Sequence, residues 1–143
     1  MNKTMIYLSG GMSGLSYEEQ LQWRNEFKKQ LGFVTDTSKI VFFSPPTYYS
    51  PATHNHKSER EAFEYDIERL RKSNIVVVNF NVPNSIGTAM ELAIARELRI
   101  PIIGLNCDNK QLHPWLTECC TRICDNMDEL VEHIAWYYCF SEV

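Results

Sequence analysis

What this chain lacks narrows its chemistry. Among 143 residues there is no excess of positive charge: 14 Lys and Arg face 18 Asp and Glu, a formal net charge of −4. A nucleic-acid backbone is therefore excluded as the main partner, because neutralising a row of phosphates needs clustered Lys and Arg. A single nucleotide is not excluded, since a few backbone N–H groups can hold one phosphate. No apolar run approaches the roughly 20 residues of a bilayer-spanning helix. The cysteines are Cys107, Cys119, Cys120, Cys124 and Cys139, an odd number with no CxxC pair. Reduced thiols in a cytoplasmic protein are the expectation. No secretory pattern precedes the first strand, because Met1–Thr4 leads straight into Met5–Ser9,. His113, Cys119, Cys120, Cys124 and His133 match no common zinc spacing, so no metal is expected. The turn Gly10-Gly11-Met12-Ser13-Gly14 lacks the Gly-Lys-Ser/Thr of a P-loop and is not GxGxxG, which disfavours a dinucleotide enzyme; no cofactor is expected. No repeat, linker or low-complexity segment is visible.

What is present alternates from end to end. Met5–Ser9 reads as a short apolar strand closed by glycines. Ser16-Tyr-Glu-Glu19 is a capping box opening a helix to about Leu31. Ile40–Ser44 is a second strand, stopped by Pro45-Pro46. Residues 45–57 form a loop rich in Pro, Thr, Tyr, His and Asn, and long ordered loops are often functional. Ser58-Glu-Arg-Glu61 is a second capping box, opening a helix to about Lys72. Ile75–Asn79 is apolar at four consecutive positions, as a strand buried on both faces would be. Pro83–Ser85 is a turn, Ile86–Leu98 a helix, and Pro101–Leu105 a fourth strand. A weaker strand lies near Thr121–Cys124, and Asn126 caps a last helix to about Tyr138. This order predicts one α/β domain over residues 1–143. Its five-stranded sheet is open and mostly parallel, with helices on both faces and the flavodoxin-like strand order 2-1-3-4-5. Ligands bind such sheets beyond the carboxyl ends of the strands, where strand order reverses. Ser9–Ser13, Pro45–His56, Asn79–Gly87 and the turn after Leu105 lie there.

Two carboxylates stand in unexpected places. The helix at 86–98 is apolar on nearly all sides, which predicts burial, yet Glu91 sits among Ile86, Ala89, Met90, Leu92 and Ile94. A buried carboxylate costs several kcal/mol unless it is paired, hydrogen-bonded or used. Glu91 also lies in the first two turns, where the helix dipole favours an anion, and Gly87 allows close approach of a ligand to the backbone. Asp66 borders the buried stripe marked by Phe63, Ile67 and Leu70. Two carboxyl groups on one cleft can divide labour, one ionised and one protonated. The plain alternative is a Glu that bonds a loop N–H and an Asp that is solvated.

The chain resembles the nucleoside 2-deoxyribosyltransferase family at three ordered motifs. They are Ile6-Tyr-Leu-Ser-Gly-Gly11, Tyr65-Asp-Ile-Glu-Arg-Leu-Arg-Lys-Ser-Asn-Ile75 and Asn84-Ser-Ile-Gly-Thr-Ala-Met-Glu-Leu-Ala-Ile-Ala95, the last followed by Ile100-Pro-Ile-Ile103. The likeness covers about residues 5–105. It implies that Glu91 attacks C1′ of the sugar and forms a glycosyl-enzyme ester, which a second base or water then resolves, as in retaining glycosidases. It implies that Asp66 protonates the departing base and that the Tyr7 hydroxyl holds the nucleophile. Ser9, Gly10, Gly11, Ser85 and Gly87 would border the sugar, and Tyr48 or Tyr49 could stack on the base. Family members are homo-oligomers in which a neighbouring subunit completes each pocket. Here Thr121, in the segment Cys119–Asp125, would be the donor. The aromatic group Trp136, Tyr137, Tyr138 and Phe140 is either core packing or an interface.

Ser85 departs from the transferase pattern, which has Asp there for the sugar 5′-hydroxyl. The related branch that hydrolyses 2′-deoxynucleoside 5′-monophosphates has Ser. An Asp would repel a phosphate, whereas Ser85 could donate to it, with Gly10, Gly11, Ser13 and the N–H groups of residues 86–88 completing an anion nest. Ser85 could equally just cap the helix. Ser85 thus favours hydrolysis of nucleotides as the alternative, while the overall motif set keeps base exchange between 2′-deoxynucleosides as the leading expectation. A nucleotide-binding sensor without turnover is the reading from another class.

Overall fold

The structure, a computed structural model, describes residues 3–49 and 56–139, the side chain of Tyr48 excepted. Five apolar segments form the strands: β1 (Thr4–Gly10), β2 (Ile40–Phe43), β3 (Ile75–Asn79), β4 (Ile102–Leu105) and β5 (Arg122–Cys124). All four pairings are parallel, and the order is β2-β1-β3-β4-β5, the flavodoxin-like arrangement expected.

The helices are α1 (Tyr17–Val34), α2 (Pro45–Tyr48), α3 (Glu59–Arg71), α4 (Ile86–Glu97), α5 (Pro114–Cys119) and α6 (Met127–His133), the last running on as a π-helical turn over Ile134–Cys139. Strand side chains alternate between faces. Ile6, Leu8, Ile75 and Val77 therefore pack against α1 and α6 through Trp23, Phe27, Leu31, Leu130 and Ile134. Tyr7, Val76, Val78 and Ile102 face the other way, onto Ile67, Leu70, Leu92 and Ala95 of α3 and α4. Two cores thus sandwich one sheet.

Local chemistry sets the helix starts. Ser16 and Glu19 close a full capping box on α1. At α3 only half a box forms: Ser58 accepts from the Glu61 N–H, but the Glu61 carboxylate takes the Lys57 N–H instead. Asn126 caps α6 by accepting from the Glu129 N–H at 2.8 Å.

Three expectations need correction. The 45–57 segment begins with a helical turn, because Pro at the first helical position has no N–H to lose and its φ is already set,. The expected apolar burial of the 86–98 helix does not hold. Thr88, Leu92 and Ala95 are buried, while Ile86 is 77% exposed and Met90 is also open. Phe63, read as a member of the buried stripe of α3, is exposed as well.

Candidate active site

Strand parity aims two hydroxyls at one acid. Tyr7 and Ser9 leave β1 on the α4 side, and both are fully buried. The Tyr7 hydroxyl donates to Oε2 of Glu91, and Ser9 Oγ donates to Oε1 at 2.8 Å. Both carboxylate oxygens are thereby held from below. Glu91 borders a cleft of about 520 Å³ at the carboxyl ends of β1 and β3, together with Gly10, Met12, Ser13, Asp66, Ser85, Gly87 and Thr88. This is where strand order reverses, because β1 and β3 run side by side while their crossovers leave to opposite faces,.

Burial pushes the Glu91 carboxyl up to about 7, against the pull of the Tyr7 and Ser9 hydrogen bonds; the Asp66 charge adds to the rise and the Arg24 guanidinium opposes it. The same burial, then the charges of Glu91 and Asp66, drive the Tyr7 phenol well above its ordinary range, so it stays a donor,. Asp66, from α3, is pushed up to about 6 by burial, while the Tyr49 hydroxyl and His56 act the other way. Between about pH 6 and 7 the two carboxyl groups on one cleft therefore hold about one proton between them, mostly on Glu91,.

Tyr49 does not line the cleft. Its hydroxyl lies 2.7 Å from Asp66 Oδ1 and 2.8 Å from the Ala62 carbonyl. One phenolic proton serves one of the two acceptors at a time. Tyr49, one of the two residues expected beside the base, thus holds an acid through its hydroxyl. The His56 ring stands edge-on to Tyr49 at 4.7 Å. The side chain of Tyr48 and all of His54 lie outside the described residues.

Ser85 caps α4, as the plain reading expected, but with a particular bonding pattern. Its Oγ accepts the Thr88 N–H at 3.3 Å and the Thr88 hydroxyl at 3.1 Å. With the Thr88 hydroxyl donating in this pair, the Ser85 proton is left to offer elsewhere,, and Ser85 borders the cleft. A Cβ placed on Gly87 would meet nothing within 4 Å, so that part of the backbone is open. Gly11 differs: a Cβ there would come within 2.5 Å of the Val82 side chain. Gly11 is thus needed for close packing of the turn and is not among the residues bordering the cleft. Ser9, expected beside the sugar, is sealed beneath Glu91.

Thr121 is not brought to this cleft. It is exposed, and its N–H donates to Ile102 at the amino end of β4, the opposite end of the sheet. Trp136 and Tyr137 are exposed and Tyr138 packs against the core, while Phe140 lies outside the described residues. Among the described residues no three of His, Cys, Asp and Glu gather as metal ligands would, and the described cysteines are free thiols. No described helix is long and apolar enough to cross a membrane.

Sequence reasoning missed Arg24. Its side chain is fully buried, borders the cleft, and bonds the main-chain carbonyls of Leu8, Gln20 and Gly10. The signal was available: Gln20, Arg24, Phe27 and Leu31 follow a 4-3-4 spacing, which is one face of a helix,. Thr88 was also overlooked, hidden inside the motif that carries Glu91.

A family model described as a domain of unknown function, DUF4406, matches residues 4–104. No curated protein matches the chain by sequence. Among solved structures, a conserved protein from Enterococcus faecalis V583 shares the fold with a TM-score of 0.76 at 16% identity, over 92% of this chain and 97% of the other. The 2-deoxyribosyltransferase of Bacillus psychrosaccharolyticus gives a TM-score of 0.71 at 17% identity, over 90% of each chain. The CMP N-glycosidase of Clostridium botulinum gives 0.59 at 14% identity, over 94% of this chain and 99% of the other. At such identities the likeness is one of fold.

Proposed function

The chain belongs to the DUF4406 family, and on that footing we propose that it cleaves the N-glycosidic bond of a 2′-deoxyribosyl nucleoside or nucleotide, with Glu91 as covalent nucleophile. One observation carries the reading. A partly buried carboxylate, gripped at both oxygens by Tyr7 and Ser9, borders a nucleoside-sized cleft with a second carboxyl, Asp66.

The chemistry runs in two balanced steps. Ionised Glu91 attacks C1′ while the C1′–N bond breaks. Asp66 gives its proton to the departing base, and a glycosyl ester of Glu91 remains. In the second step an acceptor attacks C1′ and restores the Glu91 carboxylate. Asp66, now ionised, takes the acceptor's proton. If the acceptor is a second base, the outcome is transfer. If it is water, the outcome is hydrolysis. Tyr7 and Ser9 hold the carboxylate in line, which counts because small misplacements of a nucleophile are costly.

The state of Ser85 favours a substrate bearing a 5′-phosphate. Its hydroxyl is left as a donor at the start of α4, where free N–H groups and the helix dipole also favour an anion,. A phosphate accepts all of these, whereas a 5′-hydroxyl would use fewer of them. Base exchange on unphosphorylated deoxynucleosides remains the second reading, supported by the overall order of motifs. The exposed Ile86, Met90 and Phe63 rim the cleft, and they support an assembly in which another copy of this chain covers it,.

A substrate panel tests this directly. Deoxynucleosides and their 5′-monophosphates are incubated with and without a second free base and resolved by chromatography. Free sugar phosphate supports the nucleotide hydrolase, and base exchange without phosphate supports the transferase. Binding with no turnover, unaffected by Glu91→Ala, would favour a sensor and refute the enzyme.

A further inference from the structure

Arg24 is a buried cation without an acidic partner in contact. Its side chain has no exposed surface. The ion pairs among the described residues are Arg60–Glu64 and Lys72–Glu68, both at the surface. Every hydrogen bond described for its guanidinium goes to a main-chain carbonyl: Nε to Leu8 at 3.2 Å, Nη2 to Gly10 at 3.3 Å and Nη1 to Gln20 at 2.6 Å.

Two of these carbonyls have a common predicament. Met5 of β1 accepts from Asn74, on the β3 side, so even-numbered residues of β1 turn their backbone groups towards β2. The β2 pairing ends at Tyr7 and Phe43. Beyond it the carbonyls of Leu8 and Gly10 have no strand to receive them, and orphaned carbonyls in a buried place are costly. Arg24 supplies both donors. Between them stands Ser9, whose hydroxyl holds Glu91.

We propose that Arg24 is a positioning residue for Glu91: it replaces the missing strand at the end of β1, locks the backbone on both sides of Ser9, and sets a fixed positive charge behind the nucleophile. This rests on the role proposed for Glu91. A cation buried without a contacting anion is expensive unless an anion lies within range across a low-dielectric interior. The Trp23 ring, 4.9 Å from the guanidinium, offsets part of that cost,, and Glu91, which borders the same cleft as Arg24, is the anion: each of the two groups favours the charged form of the other. The other groups facing Glu91 are Tyr7 and Ser9 from β1 and Asp66 from α3. Among all these, Arg24 is the cation, and the Asp66 charge opposes it.

The test uses Arg24→Met and Arg24→Lys in the full chain, read in two ways. The first is titration of the Glu91 side-chain carboxyl by carbon NMR without substrate. Arg24→Met is expected to move its midpoint upward, and Arg24→Lys to leave it close to wild type. The second is the pH profile of turnover. For Arg24→Met, kcat should fall on the order of tenfold to a hundredfold, KM should change little, and the limb belonging to Glu91 should move to higher pH. Arg24→Lys should recover the limb but only part of kcat, because one ammonium cannot reproduce the planar fork. If Arg24→Met does not fold, Arg24→Lys decides by that split between limb and kcat. A Glu91 midpoint unmoved in folded Arg24→Met, or full kcat in Arg24→Lys, would overturn the proposal. The NMR titration needs no substrate, so a moved midpoint with no glycosidase activity would sink the proposed function and leave the coupling standing.

Discussion

At the scale of single residues, the proposed nucleophile must be an anion to attack, and it is kept where anions are disfavoured. Glu91 has its carboxyl raised from 4.5 to about 7 on folding. The unfolded chain loses this proton near 4.5 and the folded chain only near 7, so stability falls as pH rises between those values and the full penalty stands above 7. Glu91→Gln is therefore expected to be more stable than wild type at pH 8, by on the order of 3 kcal/mol. The gap should close towards pH 4.5, which thermal melts across that range would check. The same proton shapes catalysis. With Asp66 near 6 and Glu91 near 7, the singly protonated pair is most abundant between those values, and its proton rests mostly on Glu91, so the form with Glu91 ionised and Asp66 protonated is the minor member of that pair,. A bell-shaped kcat/KM profile is expected, falling below about 6 as both groups gain protons and above about 7 as both lose them. Glu91 stood out in the sequence because it interrupts an apolar helical pattern, and Asp66 because it borders one and falls in a motif that the resemblance covers. Ser9 beneath Glu91, Tyr49 behind Asp66 and Arg24 behind β1 were not legible in those roles. Their roles come from contacts between elements, which spacing along one element does not encode.

At the scale of elements, the start of α4 is where the proposed choice between nucleoside and nucleotide would be made. Ser85 and the open backbone at Gly87 are paired features of one helix end. Gly87→Ala should keep the fold, since its Cβ meets nothing, while the methyl intrudes on the ligand's side. A KM raised several-fold with an unchanged melting temperature is the expected outcome. Ser85→Asp still caps α4 but places a carboxylate where a phosphate is proposed. Activity on 5′-monophosphates should drop at least tenfold relative to activity on nucleosides, and the ratio of the two kcat/KM values measures it. Elements with long periodic patterns, α1, α3 and α4, were read close to their observed bounds. The short α2 and α5 escaped notice because six residues or fewer cannot display a helical period,. The exposure of Ile86 and Met90 also ran against the pattern. An apolar surface predicts that something will cover it, but not that the cover lies within the same chain.

At the scale of the whole molecule, the alternation of strand and helix made the strand order readable before any coordinates. Right-handed crossovers of a mostly parallel sheet leave few arrangements, and the switch point between β1 and β3 then marks where a ligand sits. The topology leaves Thr121 far from the cleft of its own chain. A homodimer or higher oligomer is expected by sedimentation, and Ile86→Glu should shift it towards monomer while lowering turnover.

The most direct measurement is turnover by Glu91→Ala on the deoxynucleoside and monophosphate panel, with its melting temperature recorded beside wild type. A folded protein with cleavage reduced about a thousandfold or more is the expected result for loss of a covalent nucleophile. A folded Glu91→Ala protein that releases base at the wild-type rate would contradict the central claim.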